Sequence, residues 1–183
     1  TATIIDNDVP VIDVAGIETA DVVVTEGEDA VFNVGITGAA AGSTITLALA
    51  DGTAIDADYN EAYFEYSSDG GTTWTAVTGA IGVAAGDSSL LVRTDTFDDT
   101  LDEPDETFTL NATLTSQGTD YAGSSTATII DNDIPVIDVA GIETADIVVN
   151  EGEDAVFNVS ISGATAGSTV TLTLADGTAI DAD

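Results

Sequence analysis

Apolar and polar residues alternate with a period of two along much of the chain. Phe32, Val34 and Ile36 alternate with small or polar residues, and the same pattern recurs in 45–49 and in 108–114. Strict alternation over four to eight residues, rich in β-branched types, is typical of a strand with one buried face. No stretch shows a sustained helical period. The pattern therefore predicts an all-β protein.

Further runs of this kind complete the set of predicted strands; they lie near 11–14, 21–25, 62–67, 72–77, 88–97 and 124–130. The segment Ser68–Gly71, between two of these runs, contains two glycines and predicts a hairpin turn because glycine readily adopts positive φ. About seven to nine short strands within roughly 125 residues indicate an antiparallel, immunoglobulin-like β-sandwich.

The sequence contains an internal repeat with a period of 125 residues. Residues 1–8 recur unchanged at 126–133, and residues 1–58 differ from 126–183 at only eight positions. A period of this length corresponds to a whole domain, because solenoid units are only about 20–50 residues long. The chain is thus interpreted as about one and a half units of a longer tandem array.

Proline marks the predicted join between units. Pro10 and Pro135 occupy equivalent positions, each just after an Asp-Asn-Asp triplet, and proline stiffens the backbone and favours an extended predecessor. We therefore predict three parts, which are the last strand and linker of a preceding repeat (1–8), a complete repeat (9–133) and the N-terminal half of the next (134–183). The alternative phase, 59–183, would break the turn at Asp58-Tyr59.

The charge balance excludes several classes of function. The chain has 34 acidic residues, one basic residue and no His or Cys, and its formal net charge is −33. It offers no basic stripe for nucleic acid and would be repelled by an anionic membrane surface. It lacks the residues for a Ser-His-Asp or Cys-His nucleophile, a thiolate zinc site or a disulfide. We expect no enzymatic role.

The acidic residues are concentrated at the predicted strand ends, in 26–29, 51–58, 98–106 and 131–133. Because alternate loops of an antiparallel sandwich share an end, these segments are expected to meet at one end of the domain. So many carboxylates cannot all ionise at close range without counter-charge. Either several are protonated or they bind hard cations, of which Ca²⁺, with six to eight oxygen ligands in flexible geometry, fits best.

Four motifs within the repeat resemble the Calx-beta domain family, a calcium-binding β-sandwich that occurs in sodium/calcium exchangers, integrin β4 and giant bacterial surface adhesins. The motifs are Val24-Thr25-Glu26-Gly27, Asp51-Gly52-Thr53-Ala54 with Asp58-Tyr59, Phe97-Asp98-Asp99 with Glu103, Glu106 and Phe108, and Ala127-Thr128-Ile129-Ile130-Asp131-Asn132-Asp133. Together they span nearly the whole unit. Two departures are the neutral Asn132 in the acidic triplet and a longer segment between Tyr63 and Gly86.

The resemblance implies a set of calcium ligands. The expected ligands are Glu26, Asp58, Asp98, Asp99, Glu103, Asp131 and Asp133, and further candidates are Glu106, Asn132, Asp6 and Asp8. Asp6 and Asp8 belong to the preceding unit and are candidates for sharing an ion across the join. Of the other acids, Asp21, Glu28 and Asp29 are expected to be solubilising.

The resemblance also implies a function, which is that of a calcium-rigidified extender repeat in a large bacterial cell-surface adhesin. Its expected partners are the neighbouring repeats of the same chain, and its expected location is extracellular. One alternative is a module that binds polysaccharide or protein through aromatic residues of the hairpin, Tyr63, Tyr66 and Trp74. Another is a calcium sensor, against which near-identical tandem copies argue. Arg93, the sole cation, is expected to pair with an acid.

Overall fold

A computed structural model describes residues 9–16, 21–141, 147–175 and 177–178. The chain divides into two compact units. The first contains the described residues up to Asp99 together with Pro104–Asn132, and the second contains Thr100–Glu103 together with the described residues from Asp133 onward. The described part of the first unit is an all-β sandwich of ten strands, which confirms the predicted fold class.

Two five-stranded sheets make up the sandwich. The first sheet has the order β1 (Val11–Gly16), β3 (Asp29–Ala39), β8 (Gly86–Asp95), β5 (Glu65–Ser67) and β6 (Thr75–Ala76). The second has the order β2 (Val22–Thr25), β10 (Thr119–Ile130), β9 (Glu106–Ser116), β4 (Thr44–Asp51) and β7 (Ile81–Gly82). All pairings in these two sheets are antiparallel except that of β2 with β10.

The alternating pattern of the sequence appears directly in the burial of the strands. Phe32 and Val34 of β3 and Phe108 and Leu110 of β9 are fully buried, whereas their sequence neighbours are only partly covered. The Phe32 and Phe108 rings meet edge to face across the two sheets, with their centroids 5.9 Å apart. Every predicted strand of this unit is present. Only the two-residue strand β7 was missed, because it is too short to show a period.

Strand register fixes which loops share an end of the sandwich. Strand β3 starts beside the end of β8, where Asp29 pairs with Asp95, and its far end lies beside the start of β1, where Thr37 pairs with Val11. Strand β10 ends beside the end of β2 and the start of β9. The chain therefore enters the complete repeat at one end and leaves it at the other.

The described part of the second unit contains one two-stranded sheet. Strand β11 (Val136–Gly141) pairs with β12 (Phe157–Ser162) in the register that β1 and β3 show in the first unit. The counterparts of β2 and β4, residues 147–150 and 169–175, are not strands. In the complete repeat those strands pair with β10 and β9. Val148 and Leu174 are accordingly exposed.

The described residues include no helix of the length and apolar character needed to cross a membrane.

Candidate metal centre

Four acidic segments meet at one end of the complete repeat, which we call the acidic end: residues 25–29, 51–58, 96–99 and 131–132. Main-chain hydrogen bonds hold them together. The amide of Thr96 donates to the carbonyl of Glu28 at 3.2 Å, and the amide of Phe97 donates to the carbonyl of Asp58 at 2.9 Å. The amide of Glu26 donates to the carbonyl of Ile130 at 3.1 Å. The convergence expected from strand alternation is therefore present for these residues, whereas 100–103 of the expected segment 98–106, and Asp133, belong to the second unit.

Glu26 and Asp131 form the centre of this end. Each places a carboxylate oxygen within 4.8 Å of the other, and both side chains are half-buried. Two oxygens bound to one Ca²⁺ at 2.3–2.6 Å each can lie no more than about 5 Å apart, so this pair fits a calcium ion. Asp131 Oδ1 is buried and accepts no hydrogen bond from the residues that the structure describes. A buried carboxylate oxygen without a donor is costly unless a cation or a proton compensates it.

Gly27 allows Asp98 to approach this pair. Gly27 has a φ of +81°, and a Cβ atom added to it would lie 2.9 Å from Cβ of Asp98. Asp98 also accepts a hydrogen bond from the side-chain amide of Asn132 at 3.4 Å, and the Asn132 main-chain amide donates to Glu26 Oε1 at 3.4 Å. Asn132 thus connects Glu26 and Asp98 through its two donors. The structure brings these three predicted residues and Asp131 together.

Asp58 has a local role within the acidic end. Its Oδ2 atom accepts a hydrogen bond from the amide of Ile55 at 2.7 Å, which closes the turn before Tyr59. A carboxylate has further lone pairs after accepting one hydrogen bond, so this contact leaves Asp58 able to bind a cation. Asp99 follows Asp98 on the same loop and is exposed.

The remaining predicted ligands occupy less central places. Glu106 is the first residue of β9, where it pairs in register with Ile129. Glu103 and Asp133 belong to the second unit, and Asp133 Oδ2 lacks a hydrogen-bond partner among the described residues. Asp6 and Asp8 lie outside the described residues. The assignment of all these residues as ligands stays a prediction.

A second carboxylate cluster was not foreseen as a site. Asp51, Asp56 and Glu61 are exposed, and each offers a carboxylate oxygen within 4.8 Å of the others. The pKa of Glu61 is raised by desolvation, by the negative charges of Asp51 and Asp56, and by a hydrogen bond with Asp56. Glu61 belongs to none of the four motifs. The Asp-x-Asp spacing at 56–58 gave no indication that Glu61 would fold back toward Asp51.

Tyr59 anchors this second cluster to the core. Its ring is fully buried, and its hydroxyl donates to Asp51 Oδ1 at 2.8 Å. Desolvation by burial, followed by the hydrogen bond to Asp51, raises the pKa of the Tyr59 hydroxyl. The phenol therefore remains a donor throughout the physiological pH range. This hydrogen bond thereby ties the turn 55–59 to the end of β4.

The predicted hairpin is formed by β5 and β6, and Arg93 of β8 lies beside it. Arg93 donates to Glu65 Oε2 at 2.6 Å and to Asp29 Oδ2 at 3.2 Å, which confirms that the sole cation pairs with acids. Its guanidinium carbon also lies 4.3 Å from the centroid of the Trp74 ring. One face of Trp74 is therefore already covered by a cation. The aromatic platform of the alternative function would have to use the other face.

Comparison with protein families finds no match, and no curated protein matches the chain. Among solved structures, the chain is similar to the apo form of the Calx CBD1 domain, with 18% identity and a TM-score of 0.47 over 67% of this chain and 99% of that one. It is also similar to BcpA, the major pilin subunit of Bacillus cereus, with 11% identity and a TM-score of 0.41 over 84% of this chain and 53% of that one. A non-cellulosomal cohesin from Archaeoglobus fulgidus has 18% identity and a TM-score of 0.36 over 66% of this chain and 91% of the cohesin. At these identities and scores the similarity is one of architecture, and it transfers no residue role to this chain.

Proposed function

We propose that this chain is part of a tandem array of calcium-stabilised β-sandwich repeats that acts as an extender in a large, extracellular cell-surface adhesin. The repeats have no catalytic role; they hold a distal binding domain away from the cell. The observation that carries the proposal is the Glu26–Asp131 pair, whose oxygens lie within 4.8 Å of each other where the chain leaves the repeat. The four motifs that resemble Calx-beta domains contain both residues.

The charge of the chain supports a role for bound cations. A compact domain with this excess of acids repels itself, and the repulsion is strongest where the four acidic segments meet. Bound Ca²⁺ would supply positive charge and oxygen coordination at the acidic end. Glu26, Asp98 and Asp131 would hold it, with Asn132 offering a neutral oxygen. The loops that carry these residues would then be tied to the end of β10.

The direction of the strands supports a role as a spacer. Since the chain enters and leaves the complete repeat at opposite ends, each repeat adds its length to the array. Strand β3 has 11 residues and spans about 36 Å at about 3.3 Å per residue. The acidic residues 131–133 and the following Pro135 form the connection to the next repeat. Ordering this connection would stiffen the array.

The experiment is a comparison of thermal unfolding and small-angle X-ray scattering of the full chain with calcium and with chelator. Ligand that binds only the folded state adds about 2.7 kcal/mol at a free concentration one hundred times its Kd. We therefore expect a higher Tm and a longer, stiffer particle with calcium. Magnesium at the same concentration should have a smaller effect, because it demands stricter octahedral geometry.

Asp131→Asn keeps the size of the side chain and removes the charge that the proposal requires. We expect the variant to lose most of the calcium-dependent rise in Tm. Asp13→Asn is the matched control, since Asp13 is an exposed residue in the middle of β1, and this variant should respond to calcium as the unchanged chain does. The proposal is wrong if chelation changes neither the Tm nor the scattering profile, or if both variants respond to calcium alike.

A further inference from the structure

The middle of β9 contains the sequence Asn111-Ala112-Thr113. Asn-x-Ser/Thr is the acceptor motif for N-linked glycosylation in secreted proteins, in which a side-chain amide is read together with a hydroxyl two residues further on. Of the asparagines in the chain, only Asn111 and Asn158 are followed by such a hydroxyl. A motif of three residues recurs often by chance, so its structural setting has to decide what it does.

Strand alternation places Asn111 and Thr113 on the outer face of the second sheet. Leu110 and Ala112 are buried in the core, whereas Asn111 is exposed. Residues two apart in a strand point to the same face of the sheet. The amide and the hydroxyl of the motif are therefore presented together on the outer face.

The residues beside Asn111 are short. Ala48 of β4 and Ser124 of β10 lie directly opposite it in the two neighbouring strands. The side chain of Asn111 forms no hydrogen bond with any residue that the structure describes, although its amide has two N–H donors and an acceptor oxygen. A sugar on Nδ2 would thus break no hydrogen bond and meet no bulky side chain.

The surface around Asn111 is also uncharged, although the chain has 34 acids. Its direct and diagonal neighbours across the two strand pairs are small or hydroxylated residues, which are Thr46, Ala48, Ala50, Ala122, Ser124 and Thr126. Along the chain, residues 107–119 include no acid. Activated sugars are phosphate esters and hence anions, which a strongly acidic surface repels. This part of β9 presents the motif with less of that repulsion.

We propose that Asn111 is a glycosylation site, at which a transferase joins a neutral sugar to Nδ2 of the side chain. Nδ2 attacks the anomeric carbon of a sugar that is activated as a phosphate ester. A nitrogen–carbon bond forms, the bond from that carbon to the phosphate oxygen breaks, and the phosphate leaves with the electron pair while Nδ2 gives up one proton. This inference rests on the extracellular location in the proposed function and adds a modification that the calcium site does not require.

The position of β9 determines when the sugar is added and what it covers. Because β9 is paired on both sides, by β10 and by β4, it cannot enter the cleft of an enzyme without breaking the sheet, so transfer precedes folding. Asn111 follows Glu106, the first residue of β9, by about 17 Å at about 3.3 Å per residue. An attached sugar is bulky and solubilising. It therefore keeps the uncharged outer face in water and leaves the acidic end free.

Peptide mapping of the protein from its natural source tests the site. Cleavage before aspartate releases residues 105–119, in which Asn111 is the single asparagine. We expect mass spectrometry with electron-transfer fragmentation to find this peptide heavier by at least one sugar residue, bound to Asn111. The peptide that contains Asn33 is the matched control, because Asn33 also lies in a central strand but is followed by Val34 and Gly35. A peptide 105–119 of unmodified mass, or one with the sugar on a threonine, would overturn the proposal.

Two variants made in the same organism test whether the motif directs the modification. Thr113→Val removes the hydroxyl and keeps Asn111, and the sugar should disappear. Thr109→Val changes the outward residue on the other side of Asn111 and leaves the motif intact, so the sugar should remain. Persistence of the sugar in Thr113→Val, or its loss in both variants, would contradict recognition of the motif. The Tm of each variant shows that it is folded.

The glycosylation site and the proposed extender fail in different ways. Thermal unfolding and scattering are repeated with calcium and with chelator on Asn111→Gln, which has no acceptor here and should respond to calcium as the unchanged protein does. An unmodified Asn111 in a protein that stiffens with calcium would overturn the glycosylation site and keep the extender. A glycosylated Asn111 in a protein whose Tm and scattering ignore calcium would keep the site and overturn the extender.

Discussion

The ring of Tyr59 lies stacked on the ring of Phe108, with the centroids 4.1 Å apart and an angle of 9° between the planes. Both rings are fully buried. Through this contact the turn that follows β4 is fixed to β9, while the Tyr59 hydroxyl remains bonded to Asp51. Two of the motifs that carry the acidic residues are thus joined through the hydrophobic core.

Removing the stacked ring of Phe108 and removing the hydroxyl of Tyr59 should lower the free energy of unfolding by different amounts. Phe108→Ala removes the ring that also meets Phe32, and we expect it to lower the free energy of unfolding by about 3–5 kcal/mol. Tyr59→Phe keeps the stacking and loses only the bond to Asp51, which should cost about 1 kcal/mol. Urea denaturation in chelator measures both. If both variants lost the same free energy of unfolding, the stacked rings would not be the main contribution of this contact to stability.

The sequence predicted the strands because their burial follows local alternation, as in β3 and β9. It predicted the convergence of the acidic loops because strand alternation dictates which loops share an end. It could not predict contacts that depend on register or on the path of a turn. Arg93 contacts Glu65 because the two residues lie directly opposite each other where β8 pairs with β5. Glu61 lies close to Asp51 because Tyr59, which stands between them in the sequence, is buried in the core. Neither relationship leaves a periodic signal.

Gly27 offers a test of the geometry of the acidic end. Gly27→Ala puts a side chain at a φ of +81° and against Asp98, so we expect it to destabilise the fold and to weaken the calcium-dependent rise in Tm. Gly42→Ala is the matched control, because Gly42 has a φ of +84° and nothing within 4 Å of the added Cβ atom. Backbone strain alone costs about 1–2 kcal/mol in either variant. Only Gly27→Ala should reduce the response to calcium, and an equal response in both would argue that Asp98 need not approach Glu26.

The Asp51–Asp56–Glu61 cluster should destabilise the folded protein when chelator has removed calcium. Because the folded-state pKa of Glu61 is raised, the folded state binds a proton more readily than the unfolded state. The penalty is therefore present above that pKa and disappears as the pH falls and Glu61 becomes protonated. Glu61→Gln should raise the free energy of unfolding at pH 7 and have no effect at pH 3. Denaturation in chelator at the two pH values measures this, and a less stable variant at pH 7 would contradict it.

Asp69 should show the opposite dependence on pH. The amide of Thr73, the hydroxyl of Ser67 and the hydroxyl of Thr73 donate to its carboxylate at 2.9, 2.7 and 2.7 Å, and these bonds lower its pKa to about 2. A depressed pKa means that the stabilisation is present above the unfolded value of about 3.9 and is lost as the pH falls toward 2. Fluorescence of Trp74, the single tryptophan, reports on this hairpin. Asp69→Asn should flatten the loss of hairpin structure between pH 4 and pH 2, since the amide does not titrate. An unchanged pH profile in the variant would mean that other carboxylates control the acid opening of the hairpin.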